Sequence, residues 1–275
     1  MSKGFIFYAD GDDYVMQACL AAMSIKVFND LPISIITKDK IITKYKKLFD
    51  QIIQPPWLEY DNSRYQILNR WKIYHASPYE ETVVLDTDVL VLQDLSLWWN
   101  FFENYKIFYL SKVYTYRSTE ITNDFYRKAF IKNNLPNFYA GMHYFKKCNE
   151  SKDFFSWLEI ISKNWELFYG QFCKDFYPTT PSMDLSTAIT SKILNNDKEI
   201  SNKKVDFLKF IHMKSRVQGW NTNIDNWEDK VGVYLTKNLS LYIGNYLQSG
   251  VFHYASTNFL KKHIIKKYED YLGID

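Results

Sequence analysis

One stretch constrains this chain more than any other. Residues Thr82 to Leu92 read Thr-Val-Val-Leu-Asp-Thr-Asp-Val-Leu-Val-Leu, a valine-rich apolar run broken only by Asp86, Thr87 and Asp88. Such a run predicts a buried strand of an α/β sheet. Carboxylates beside a buried strand are costly unless something pairs with them. Two residues apart, they would point the same way if the strand continued through them. The simplest account is that the strand ends here and both carboxylates face a shared cation at its carboxyl end, where open α/β sheets place their ligands. Oxygen ligands suit the hard ions Mg²⁺ and Mn²⁺. Turns and helix caps also produce Asp-x-Asp, but a solvated turn does not need apolar flanks on both sides.

With 275 residues the chain can bury a large core as one domain, residues 1–275. A net charge of +3 with 24% charged residues fits neither an acidic solvating chain nor a strongly basic nucleic-acid binder, so no nucleic-acid partner is expected. The 18% aromatic content argues against disorder and supplies stacking surfaces for bases or sugar rings. Cys19, Cys148 and Cys173 are odd in number and lack a C-x-x-C spacing, so they suggest neither a disulfide framework nor a zinc site. The N-terminal segment meets Asp10 too early for a signal peptide, and no apolar run is long enough to span a bilayer. The expectation is a cytoplasmic protein.

Taken in order, Phe5 to Ala9 is an aromatic-rich strand, followed by a turn and cap at Asp10-Gly11-Asp12-Asp13. Val15, Cys19, Ala22 and Met23 keep helical spacing to about Phe28, and Ile33 to Thr37 is a second strand. This β-α-β opening predicts a parallel sheet. Ile41 to Phe49 reads as a weaker helix, and Ile52-Ile53 as a short strand stopped by Pro55-Pro56. Tyr65 to Ala76 reads as a helix carrying Arg70 and Lys72, with Arg64 just before it. After the Asp-x-Asp strand come a bulky segment, Leu95 to Phe102, and a strand over Ile107 to Val113. Tyr114 to Asn134 reads as a polar surface excursion, and Tyr139 to Phe145 as a strand. Phe154, Leu158, Ile161, Trp165 and Phe168 mark one amphipathic helix. A helix starting at Asp184 follows, then strands over Val205 to Ile211, Leu239 to Ile243 and Val251 to Phe252. A basic final helix carries Lys261, Lys262, Lys266 and Lys267.

Three short segments in this order resemble the GT-A glycosyltransferases, closest to the retaining type of family 8, the glycogenin and galactosyltransferase group. They are Leu85-Asp86-Thr87-Asp88-Val89-Leu90-Val91, Asn137-Phe138-Tyr139-Ala140-Gly141-Met142 and Phe252-His253-Tyr254. The matches are scattered from about residue 5 to 260, and their order and spacing are more specific than any one of them. The resemblance implies an α/β GT-A fold, a mostly parallel central sheet flanked by helices. It divides the chain into a nucleotide-binding half (1–113), a half for donor sugar and acceptor (114–255) and a basic C-terminal helix (256–275).

It also implies a transferase that moves a sugar from a nucleotide diphosphate, a UDP-sugar, to a glycan, lipid or protein acceptor. Its cofactor would be Mn²⁺ (or Mg²⁺), held by Asp86, Asp88 and a late histidine. That histidine is His253, with His212 the alternative and Lys214 near it as a phosphate contact. The donor would lie along Tyr8, Ala9, Asp10, Arg70, Lys72, Asp86, Thr87, Asp88, Ala140 and Gly141. Asp86 would also meet the ribose, and Tyr8 would stack on uracil unless it is simply a core residue. Arg70 and Lys72 enter on charge alone. Asp88 and Asp184 are the catalytic candidates, although Asp184 also reads as a helix cap after Pro181.

The chain departs from the family pattern at three places: Tyr139 stands in the asparagine position, Leu185 replaces the amide of the later Asp-Gln pair, and the late His-x-x-Gly loop is absent. Two rival functions follow. One is a non-catalytic GT-A-like binding module. The other is a phosphohydrolase of the haloacid dehalogenase type, which normally carries Asp-x-Asp on its first strand. The basic last helix is compatible with peripheral membrane contact.

Overall fold

The computed structural model describes residues 2–56, 66–122, 127–201, 205–213 and 227–275. Arg64, Tyr65 and Lys214 therefore lie outside the described residues. Four parallel strands form one side of the main sheet: β1 (Lys3–Tyr8), β2 (Ile33–Ile36), β3 (Gln51–Ile53) and β4 (Glu81–Leu85). The β5 strand (Val89–Val91) belongs elsewhere, while β6 (Ile107–Leu110) and β7 (Tyr139–Lys146) complete the main sheet in the order β3-β2-β1-β4-β7-β6. The β7 strand runs antiparallel to both its neighbours.

Alternation along the central strands sorts side chains to two faces. Phe5, Phe7, Val83 and Leu85 join one core cluster with helix α1 (Asp12–Phe28). Ile6 and Val84 join a second, with α5 (Asn149–Lys163) and α7 (Met183–Leu194). The result is a helix–sheet–helix sandwich, and every residue of β4 is buried, as a central strand covered on both faces requires.

Between α1 and α5 come α2 (Ile73–Ala76), α3 (Ser96–Phe102) and α4 (Lys128–Lys132); α6 (Trp165–Phe172) follows α5. Thr82 to Leu92 is thus two strands in two sheets. The second sheet pairs β5 with β12 (Val251–His253), and β12 with β8 (Phe210–His212). A third holds β9 (Val233–Leu235), β10 (Leu241–Ile243) and β11 (Tyr246–Leu247). Helix α8 (Lys262–Leu272) buries Ile264 and Tyr268 and packs on α1, with Lys267 bonded to the Leu235 carbonyl.

Several local expectations change. Tyr65 to Ala76 becomes a 3₁₀ segment, Gln66–Lys72, followed by the single turn α2. Ile41 to Phe49 is likewise a 3₁₀ turn, Thr43–Leu48. The long amphipathic helix is two helices meeting at Asn164, whose side-chain amide bonds back to Ile160 O at 2.8 Å. Only Phe210–His212 of the expected Val205 strand is extended into a ladder. The supposed surface excursion buries Tyr114, Tyr116, Ile121, Arg127 and Phe130. Among the described residues no helix is long and apolar enough to cross a membrane.

Gly250 sets the pairing of the second sheet. It has φ +76°, and a Cβ there would stand 2.0 Å from the Lys209 carbonyl oxygen. Gly250 O also accepts from Leu92 N (2.9 Å), and the next residue, Val251, bonds Lys209 O at 2.9 Å. Gly250→Ala combines a left-handed backbone with a backbone clash, so it should lower stability by about 2 kcal/mol or more. Urea unfolding of the two proteins checks this; a loss below about 0.5 kcal/mol would show that the close approach is not needed.

Candidate active site

The chain changes sheet between Leu85 and Val89, and that change exposes Asp86 and Asp88. Strand β4 makes its last rung at Leu85–Met142, and Asp86 N–H then donates to Gly141 O at 2.8 Å. Thr87 turns inward and its hydroxyl donates to Gln17 Oε1 at 2.9 Å. Asp88 O accepts from Tyr254 N at 3.0 Å, which brings the end of β12 alongside. The two carboxylates and His253 each offer a ligand atom, and these atoms lie within 4.8 Å of one another.

Each charge has a partner. Arg70 Nη2 meets Asp86 Oδ1 at 2.5 Å, and His253 Nε2 meets Asp88 Oδ2 at 3.0 Å. Behind His253, its Nδ1 lies 2.9 Å from Nδ1 of His212, so one ring donates and the other accepts. Parallel pairing of β8 and β12 causes this, because His253 is in register with His212. The two carboxyls titrate apart. Burial holds Asp86 above the ordinary value, against the opposing pull of Arg70 and reinforced by Asp88. Burial also works against the Asp88 anion, but the charge and hydrogen bond of His253 outweigh it and leave Asp88 below the ordinary value.

Strand β7 supplies the site's other edge. Tyr109 pairs with His143 while Leu110 pairs with Tyr139, so Ala140, Gly141 and Met142 bulge out of the β6–β7 ladder. At Gly141 a Cβ would stand 3.1 Å from Asp86 Oδ2 and 3.2 Å from Phe210 Cζ. The bulge also carries Ala140 N–H to Asp184 Oδ1 (2.8 Å) and Ala140 O to Arg70 (3.4 Å).

Two cavities meet at the carboxylates. The outer, about 410 Å³, is lined by Tyr8, Asp10, Tyr14, Thr87, Asp88 and Ala255. The inner, about 160 Å³, is lined by Arg127, Tyr139, Gly141, Asp184 and His212, among others. Ile67, Arg70, Asp86 and His253 line both.

Most of the residues singled out in the sequence come together here, but not all. Ala9 is buried and holds β1 to β2 through Ile36 O (3.0 Å), away from both cavities. Lys72 is buried beside Trp71 and lines neither cavity. In a 3₁₀ turn of three residues, side chains two apart diverge by roughly 120°, so only Arg70 can face the carboxylates. Ala140 contributes backbone rather than side chain. Asp184 is not the helix cap; Ser182 is, accepting from Leu185 N at 3.2 Å. Tyr14 and Arg127 went unread. Tyr14 belongs to no motif and lies off the apolar spacing of its helix, and Arg127 lies in the stretch read as a polar surface excursion. The only clue to Arg127 was its place just before the apolar pair Ala129-Phe130.

No protein-family model matches the chain, and no curated protein matches it in sequence. Solved structures do resemble it. Mouse xyloside xylosyltransferase 1 is 9% identical over 92% of this chain and 97% of that one, with TM-score 0.50. The galactosyltransferase LgtC in complex with donor and acceptor sugar analogs is 13% identical over 97% and 95%, with TM-score 0.48. The glycosyltransferase GlyE of Streptococcus pneumoniae is 16% identical with TM-score 0.43, and this chain spans only 45% of its length. The fold is the GT-A fold of glycosyltransferases, as the sequence motifs implied.

One electrostatic consequence is measurable. His143, in the wall behind Ala140, stacks on Tyr109 at 4.8 Å and is held at a pKa of about 3 by burial, with Arg70 adding to the effect. The native state then stays unprotonated where the unfolded chain, near 6.5, takes up a proton. Stability present above pH 6.5 should therefore be lost as pH falls toward 3, at up to about 1.4 kcal/mol per pH unit from this group. His143→Gln should flatten the profile of unfolding free energy between pH 6 and 4. An unchanged slope would show that His143 is not the source.

Proposed function

We propose that this protein transfers a sugar from a nucleoside diphosphate, a UDP-sugar, to an acceptor, with a divalent ion at Asp86, Asp88 and His253. One observation carries the reading: the three ligand groups cluster where two cavities adjoin, Asp86 and His253 lining both and Asp88 the outer one. A nucleoside fits the outer cavity, between Tyr8, Asp10 and Tyr14. The sugar fits the inner one, and the diphosphate crosses the seam beside the carboxylates.

The residues fit a metal in number and kind. Two carboxylate oxygens and one imidazole nitrogen make a mixed donor set that suits Mn²⁺ and tolerates Mg²⁺. When bound, such an ion neutralises the diphosphate and stabilises the leaving group. The chain's own residues do the remaining work. Asp88 and Asp86 hold the ligand positions, and His253 keeps its second nitrogen on His212. Arg70 stands at the seam with a guanidinium fork that suits phosphate oxygens. Gly141, lacking a side chain, leaves room above Asp86. Asp184 presents its carboxylate to the inner cavity, where it orients the sugar. No feature favours the phosphohydrolase reading: a nucleophilic Asp86 would have to attack while bound to Arg70.

Calorimetric titration of UDP with and without Mn²⁺ tests this. The parent should bind UDP far more tightly with Mn²⁺, and Asp86→Asn and Asp88→Asn should each lose that gain while melting cooperatively. Either variant binding UDP and Mn²⁺ like the parent would sink the site assignment. His253→Ala should weaken Mn²⁺ binding by more than about tenfold, and His212→Ala by less; the reverse order would exchange their roles. Absence of sugar release from any UDP-sugar, despite Mn²⁺-dependent UDP binding, would favour the non-catalytic module.

Gly141→Ala places a methyl group 3.1 Å from Asp86 Oδ2 on an ordinary backbone. It should fold as the parent does yet bind UDP with Mn²⁺ several-fold more weakly in the same titration. Unchanged binding would show that the space above Asp86 is not used.

A further inference from the structure

We propose that Arg127 decides which sugar the inner cavity accepts, by forming with Asp184 a donor–acceptor pair for two neighbouring hydroxyls of the sugar ring. The proposal rests on the reading of that cavity as the sugar-holding end of the site.

Arg127 is only 5% exposed, and a buried guanidinium has to be held. It is held from three directions. Nη2 meets Asp184 Oδ2 at 2.6 Å, Nη1 donates to Phe138 O at 2.8 Å, and the guanidinium lies 3.6 Å from the Tyr139 ring centre. A rigid fork fixed this way presents its remaining N–H groups in a set direction. Asp184 is fixed as well, because its other oxygen takes the Ala140 N–H at 2.8 Å. A carboxylate oxygen can accept more than one hydrogen bond.

The rest of that wall offers little. Phe130 and Met183 are apolar, Leu185 is buried, and the Ser182 hydroxyl accepts from Leu185 N as the cap of α7, which leaves it a single donor. Across the cavity Arg70 meets Asp86 at the seam, the end read as holding the phosphates. On the α7 side Arg127 and Asp184 are the charged groups that line the cavity, and together they offer both a donor and an acceptor. A buried polar pair discriminates strongly, since a sugar lacking the matching hydroxyl leaves a donor or acceptor unpaired.

The test uses the parent and Arg127→Lys, which keeps the charge beside Asp184 but loses the fork. Calorimetry with Mn²⁺ gives dissociation constants for UDP and for a panel of UDP-hexoses that differ at single hydroxyls. The variant should bind UDP within about twofold of the parent, while the tightening that the preferred sugar adds should fall by about tenfold. Its preference among epimers should flatten. A merely structural role would instead weaken UDP and every UDP-hexose together, and that result, or an unchanged preference, would overturn the proposal. Deoxy-sugar donors tested on the parent give a second reading that needs no variant. Loss of affinity at two adjacent positions supports the pair, and a flat profile overturns it. A parent that binds no UDP with Mn²⁺ would overturn the whole reading of the site; a parent that binds while Arg127→Lys keeps its preference overturns this proposal alone.

Discussion

The structure depends on how two carboxylates are kept at the end of a buried strand. Asp86 and Asp88 leave the core at the place where the chain passes from one sheet to another. Side-chain exposures of 23% and 24% are too small to leave the charges to water. An unpaired buried charge costs several kcal/mol. Arg70 and His253 offset that cost from well-separated parts of the chain, so the fold must bring them both to one spot. The 3₁₀ turn before β4 delivers Arg70. The antiparallel pairing of β12 on β5 delivers His253, with Val89 as its partner in register.

The same pairing has a second consequence. Because β8 runs parallel to β12, His212 arrives behind His253 rather than beside the carboxylates. Two histidines that look equivalent in sequence thus stand in different positions, one facing Asp88 and one facing the other's ring. Gly250 permits this, since the loop into β12 passes against the Lys209 backbone, where no side chain fits. The bulge in β7 does comparable work on the other side. It sets Gly141 over Asp86 and turns Ala140 toward Asp184 and Arg70. The site is therefore built from irregularities at the ends of regular strands, where backbone groups are free to bond side chains.

Much of the fold was legible in the sequence. Phe5 to Ala9, the α1 periodicity and Ile33 to Thr37 each carry a local pattern that survives into the structure, and the valine-rich Asp-x-Asp run is buried as read but divides into β4 and β5, in different sheets. What misled were short segments whose apolar residues serve two masters. Tyr65 to Ala76 has helical spacing over too few residues to decide between α and 3₁₀ turns. Phe154 to Phe168 keeps one apolar stripe across a break at Asn164 that periodicity does not register. Tyr114 to Asn134 looks polar because its buried aromatics are interleaved with residues that face outward.

By itself the sequence determined that two carboxylates would stand at the end of a buried strand with apolar flanks, and that something had to pair with them, read there as a shared cation. Those conclusions follow from local composition and the cost of burying charge. Only the tertiary structure decided which groups would meet them: Arg70 and not Lys72, His253 and not His212, and Arg127 against Asp184. Each choice turns on the phase of a short turn or the register of two strands distant in sequence, and neither quantity is encoded within reach of a local pattern.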